Sequence, residues 1–191
     1  MEKSEPMGIS NRRSGTSNKY VDSLKFALYC VSHPVDGFWD LTHEKRGSLQ
    51  AANTILLLTL VARIASLRYT SFLFMKVYWE GINIFLYIAS ILFPLSLWVV
   101  GNWALTTLFD GKGRLGHVYM ATCYALTPYV LVQFPLMIFS NFVTVEEGGF
   151  YAVMYMLSRI YSGILIVVAM GQIHEYSAGK NLLFTVASLF A

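Results

Sequence analysis

Charge is what this sequence has least of. Only 13% of its 191 residues are Asp, Glu, Lys or Arg, against about a quarter in an ordinary soluble domain. A chain that is 55% hydrophobic cannot cover a water-facing surface with so few charges. The deficit is also local. Asp, Glu, Lys, Arg and His are all missing from residues 81–109 and again from 118–145, and each run exceeds the roughly 20 apolar residues that span a hydrocarbon core.

Other shortages remove whole classes of chemistry. The two cysteines, Cys30 and Cys123, have neither the number nor the spacing of a disulfide framework or a zinc site, so both are read as packing residues. His43-Glu44 and His174-Glu175 open like a metalloprotease motif, but no second histidine follows four residues on. Gly111-Lys112-Gly113 lacks the spacing of a phosphate-wrapping loop, and no strand precedes it. Asn53 and Gln50 are lone polar residues without a nucleophile and base beside them. No paired acid and base and no metal set is found, so the chain is read as a non-enzyme without cofactor or metal. The formal net charge of +3 is small, and its basic residues lie in the N-terminal region and short loops, which reads as membrane topology and excludes nucleic acid as a partner.

The chain also opens without an apolar run. Residues 1–19 are polar and rich in Ser, Gly and Lys/Arg, which excludes a secretory signal and predicts a disordered cytoplasmic tail. Over 20–47 the pattern changes. Val21, Leu24, Leu28 and Val31 repeat at three and four residues, and His33-Pro34 stops that helix. Phe38, Trp39 and Leu41 then alternate with Asp36, Asp40, Lys45 and Arg46, a mixture that predicts an interfacial segment. A simple lipid anchor is the preferred reading of it, and a docking element for a cytoplasmic partner the alternative.

Residues 48–191 read as an all-α, polytopic membrane bundle of about five helices. Spans are expected over 48–67, 82–109 with Pro94 inside, 117–142 with Pro128 and Pro135, and 150–171. A last apolar stretch, 182–191, has half the needed length and is expected to be a fifth helix cut short. Ala121 and Ala125 form a small-xxx-small pair suited to close helix approach. Lys3, Arg12, Arg13, Lys19, Lys25, Lys45, Arg46, Lys112, Arg114 and Lys180 all fall on one side if the helices alternate, whereas Lys76, Glu80, Glu146 and Glu147 fall on the other. The N-terminus is therefore expected in the cytoplasm. Tyr69, Tyr78, Trp79, Phe150 and Tyr151 suit interfacial belts, and Trp98 and Trp103 suit helix packing.

Two arginines break the apolar runs. Arg63, near the end of the first span with Arg68 beyond it, is expected to snorkel. Arg159 lies deep in the fourth span, where a cation costs about 2.5–3.5 kcal/mol on insertion scales unless it meets a partner. It is read as a strut pairing with polar groups such as Tyr161, Ser158, Thr127 or Asn102, with a functional polar site as the alternative.

Three stretches carry a family likeness: Gly101-Asn102-Trp103, then Phe109-Asp110-Gly111-Lys112-Gly113, then Tyr124-Ala125-Leu126-Thr127-Pro128-Tyr129. In this order they resemble the Yip1 domain family of five-helix membrane proteins, and the resemblance covers roughly 37–191. It implies a five-span bundle with a cytoplasmic N-terminal region, and it singles out Asn102, Trp103, Asp110, Gly111, Gly113, Tyr124 and Pro128 as candidate functional or structural positions beside Arg159.

For function the resemblance implies a membrane accessory or scaffold. Eukaryotic relatives act in vesicle trafficking and interact with small GTPases, but their acidic N-terminal motif is not visible in this chain. Bacterial relatives look like accessory membrane proteins, some associated with carbohydrate ABC transport. The preferred expectation is thus a non-enzymatic accessory protein of a bacterial cytoplasmic membrane, with the lipid bilayer and a second membrane protein, such as an ABC transporter permease, as partners. The EAA-xxx-G loop by which an import permease docks its ATPase is missing, so the chain is not read as the permease itself. A small transporter or channel component with a polar path near Arg159, and a GTPase-interacting trafficking adaptor, are the alternatives.

Overall fold

A computed structural model describes residues 11–74, 83–109, 111, 113–144 and 146–190. Among them all regular structure is helical, in eight segments. The first two, α1 (Asn11–Ser32) and α2 (Pro34–His43), form a hairpin. Its bend is written in His33-Pro34: the ring of Pro34 excludes the helical conformation at His33, which sits at φ −129°, ψ 74°, while the proline itself opens α2 without losing a hydrogen bond. Helix α1 begins at Asn11, inside the segment 1–19 expected as a tail, and residues 1–10 of that segment lie outside the described residues.

Four helical stretches are long and apolar enough to cross a membrane: Leu49–Tyr69, Ile84–Leu108, Leu115–Phe139 and Gly148–His174. The first is α3, whose N-cap Ser48 accepts from the Ala51 N–H at 3.1 Å, and the second is α4, capped by Asn83 through the N–H groups of Phe85 and Leu86. Such caps contribute about 1 kcal/mol each. The third stretch is broken into α5 (Leu115–Ala125) and α6 (Thr127–Phe139). Pro128 is the cause, since it has no N–H to offer the carbonyl of Tyr124, and the Thr127 hydroxyl donates to that carbonyl instead at 2.7 Å. The fourth, α7 (Gly148–His174), stops at Glu175 in the left-handed region, φ 54°, ψ 38°. A fifth helix, α8 (Ala178–Phe190), has 13 residues and packs on α4 and α7.

The principal core joins α1, α2, α3, α5 and α7 through Phe26, Cys30, Phe38, Leu41, Tyr124 and Leu165, all buried. Small residues let the helices meet, with Ala51, Ala52, Ala121 and Ala125 fully buried. The hairpin belongs to this packing. The Tyr161 hydroxyl, near the middle of α7, donates to the Val31 carbonyl at 2.6 Å, and Tyr20 and Thr54 hydroxyls lie 2.8 Å apart. Of the apolar residues in the segment 20–47, Phe38 and Leu41 face protein, whereas Val21, Leu28 and Val35 are exposed. Trp39 remains exposed and stacks on His43.

Contacts between turns fix which ends lie together. His43 meets Glu175 at 3.3 Å, and the Gly113 N–H meets His174 at 3.3 Å, so the end of α2, the α4–α5 turn and the α7–α8 turn share one end of the bundle. At the other end the Asn141 amide donates to the Tyr69 carbonyl at 2.8 Å, and the Ser71 N–H to the Ser140 hydroxyl at 3.1 Å.

Candidate functional site

The residues singled out from sequence divide into two places. Asn102, Gly111 and Gly113 converge at the end of the bundle that carries the hairpin, around His174. Gly113 donates its N–H to Nδ1 of His174 at 3.3 Å, which makes Nδ1 an acceptor and assigns the imidazole proton to Nε2. Nε2 lies 3.3 Å from Oδ1 of Asn102, and the Asn102 amide donates on to the Ser188 hydroxyl at 3.2 Å. One buried chain of hydrogen bonds therefore ties the α4–α5 turn, α7, α4 and α8, with His174 only 2% exposed.

The glycines of this turn are spacers rather than a ligand cradle. A Cβ on Gly113 would stand 2.5 Å from Cε1 of His174, and one on Gly111 would stand 2.8 Å from His174 Nδ1, the Thr106 carbonyl and the Tyr176 hydroxyl. Tyr176 stacks on His174 and donates to the carbonyls of Thr106 and Phe109 at 3.3 and 3.1 Å. Asp110 lies outside the described residues. Trp103 is 37% exposed and joins neither place. His174 and Tyr176 were missed by the sequence reading because histidine was weighed there only as a metal ligand; two glycines flanking a single residue were the available signal that something bulky fills the turn.

Tyr124 and Pro128 are framework residues. The Tyr124 hydroxyl is buried, lies 2.7 Å from the Ser23 hydroxyl, donates to the Ser23 carbonyl at 3.1 Å and accepts from the Ser48 N–H at 3.3 Å. It thereby pins α1 to the start of α3. Pro128, buried at the start of α6, makes the break already described.

Arg159 belongs to the second place, nearer the opposite end. None of the four partners expected for it is its partner: Asn102 serves His174 and Ser188, Tyr161 serves Val31, and Ser158 and Thr127 bond to carbonyls of their own turns. Arg159 Nη1 instead donates to the Tyr155 hydroxyl at 3.4 Å, one turn away, with its guanidinium 5.5 Å from that ring. Arg63 donates to the same hydroxyl at 2.8 Å and lies 5.2 Å from the Tyr87 ring. Arg63 is thus turned into the bundle, which corrects the expectation that it snorkels. The physical reason is that a half-buried guanidinium gains more from a phenol oxygen and an aromatic face than its stem gains from lying along lipid.

The two arginines border a cleft of about 330 Å³ that Thr59, Ser90, Tyr129 and Ser162 also line. The buried Ser162 hydroxyl has no hydrogen-bond partner among the described residues, and the buried Tyr129 phenol faces the Arg63 guanidinium. The two ion pairs found among the described residues, His43–Glu175 and Arg46–Asp40, lie away from this cleft and involve neither Arg63 nor Arg159. A site built of two guanidinium groups and hydroxyls within spanning helices attracts anions and repels cations. Among the described residues no group of three His, Cys, Asp or Glu is placed to hold a metal ion.

A family model described as Yip1 domain matches residues 22–191. No curated protein and no solved structure matches the chain.

Proposed function

The chain belongs to the Yip1 domain family, and from that membership and the packing of its hairpin we propose that it is a non-enzymatic accessory or scaffold protein of a membrane, which presents a folded platform of mixed charged and apolar groups to a partner protein. The observation that carries this reading is the integration of α1–α2 into the core. Phe26, Cys30, Phe38 and Leu41 are buried against the bundle, while Asp22, Lys25, Asp36 and Lys45 stay exposed together with Val21, Leu28, Val35 and Trp39. A segment that is held rigid on one face and offers charged and apolar groups on the other is suited to recognition, because its ordering cost is met within the fold before any partner arrives.

The platform side is proposed to be cytoplasmic. Lys25, Lys45, Arg46, Arg114 and Lys180 gather at that end, against Arg68, Glu146 and Glu147 at the other, in keeping with the bias of cytoplasmic loops. The partner class suggested by bacterial relatives is a membrane protein such as an ABC transporter permease. A transport role of its own is the second reading, favoured by the arginine cleft. Against it, the packed side chains of Tyr124, Leu165 and Met170 fill the bundle between the cleft and the hairpin end.

Purification of the tagged full chain in mild detergent tests the proposal. Stoichiometric recovery of a membrane partner that is lost on reversing the charges of Lys25 and Lys45 supports it. Solute uptake into liposomes by the chain alone would overturn it in favour of the transport reading.

A further inference from the structure

The geometry points to a lipid site: the arginine cleft and the apolar groove beside it bind one phosphate-bearing lipid, with the phosphate between Arg63 and Arg159 and an acyl chain along α4 and α7. The cleft supplies the polar half. Two guanidinium groups converge on a single phenol oxygen, which is a shared acceptor and neutralises neither charge. Ser162 and Tyr129, 4% and 8% exposed, both line the cleft; the Ser162 hydroxyl is unpartnered among the described residues, and the Tyr129 phenol faces the Arg63 guanidinium. Planar guanidinium donors match phosphate oxygens in pairs, and a buried, unpartnered hydroxyl is ready to complete the shell.

The groove supplies the apolar half. It measures about 690 Å³, is lined by Pro94, Trp98, Ile160 and Ile164, and runs into the cleft through the shared residues Ile91, Leu126 and Gly163. The space beside Gly163 at this junction is open, since a Cβ there would meet nothing within 4 Å. Continuity of charge and grease is what distinguishes a lipid from a free phosphate as occupant. Arg63 lies six residues before Tyr69 at the end of α3, about 9 Å along the helix axis, so a headgroup phosphate reaches it by sinking part-way into the leaflet opposite the hairpin. A hydrated phosphate ion would have to shed its water for the same position. Because bilayer interior is as apolar as the groove, the acyl chain adds shape more than affinity, and the arginines carry the binding.

Native mass spectrometry of the full chain in mild detergent tests this without any protein partner, so its outcome is separate from that of the scaffold reading. Titration with dioleoylphosphatidylglycerol is expected to give one tightly retained lipid per chain, bound at least tenfold more strongly than dioleoylglycerol, which lacks phosphate. Arg159→Gln, at an exposed position, is expected to weaken retention about tenfold without lowering the melting temperature. Gly163→Leu, which fills open space, is expected to exclude the lipid while the protein stays folded. Equal retention of dioleoylglycerol, or retention unchanged in both variants, overturns the proposal. Inorganic phosphate at matched concentration displacing the lipid, with Gly163→Leu binding phosphate and lipid as the wild type does, also overturns it, in favour of a free-anion site.

Discussion

The backbone N–H of Gly113 and Nδ1 of His174 meet at 3.3 Å, closing a contact between residues 61 apart in sequence. The contact is possible only because position 113 has no side chain. Gly113→Ala would set a methyl group 2.5 Å from Cε1 of a buried imidazole that has no room to retreat, an overpacking that costs about 1–3 kcal/mol. For a chain of this length that is a fall of several degrees in melting temperature, at about 2–4 °C per kcal/mol. Gly116→Ala, where a Cβ would meet nothing within 4 Å, serves as the control and is expected to melt with the wild type. Equal melting of both variants in detergent would refute the spacer role.

Tyr124→Phe tests how the hairpin is held. The change keeps the ring but takes the partner from the part-buried Ser48 N–H and from the buried Ser23 hydroxyl, whereas the Ser23 carbonyl keeps its bond within α1, a loss of about 1–3 kcal/mol. Its expected signature is local: trypsin should cut faster after Lys45 or Arg46, in the exposed link between α2 and α3 whose Arg46 carbonyl is held by the Ser23 hydroxyl that contacts Tyr124. Tyr20→Phe removes only the half-exposed contact to Thr54, so its cleavage rate should change far less. Equal rates for all three proteins would show that Tyr124 does not hold α1.

The two arginines are expected to behave differently when each is changed to leucine. Arg63 is half-buried and bonded to Tyr155 at 2.8 Å, so Arg63→Leu leaves that hydroxyl without its closest donor and should lower the melting temperature. Arg159 is exposed and its bond is the longer one, 3.4 Å, so Arg159→Leu should leave stability within about 0.5 kcal/mol, the usual range for surface changes. A larger loss for Arg159→Leu than for Arg63→Leu would reverse the assignment of roles.

These particular residues show what could be read from sequence. Apolar runs of bilayer length made the four spans legible because hydrocarbon thickness is a one-dimensional constraint, whereas the third span was read as continuous with Pro128 and Pro135 inside it, and only Pro128 breaks it. The family resemblance, carried by Asn102, the glycine turn and the Tyr124–Pro128 run, was legible as a pattern of residues. Partners were not legible. Arg159 was matched to four other polar residues, yet its oxygen is Tyr155, one turn back on its own helix, a neighbour that helix spacing offered and the reading passed over; what no spacing offered is the packing of α3 on α7 that brings Arg63 to the same atom. His174 was equally hidden, because its meaning comes from Gly113 and Asn102 in other elements. The hairpin's charges suggested an interface, whereas the burial of Phe38 depends on α7 lying beside it.

Cys30 offers a test of that burial through pH. Its side chain is fully buried in α1 against the core, and burial pushes the thiol up from the ordinary 9.0 to about 12, with the Asp40 carboxylate adding in the same direction and Arg46 opposing. In the folded chain the thiol therefore stays protonated where the unfolded chain has lost its proton. The stability it contributes is fully present below pH 9 and is lost as the pH rises toward 12, since the unfolded state alone gains by ionising there. Cys30→Ala removes this dependence, so the gap between wild type and variant should narrow from pH 8 to pH 10, where all other titrating groups are common to both. On the Cys123→Ala background, maleimide should leave Cys30 unmodified at pH 8 until the protein is unfolded. Rapid labelling of the native protein, or a gap in melting temperature that stays constant with pH, would mean that α1 is not seated on the core.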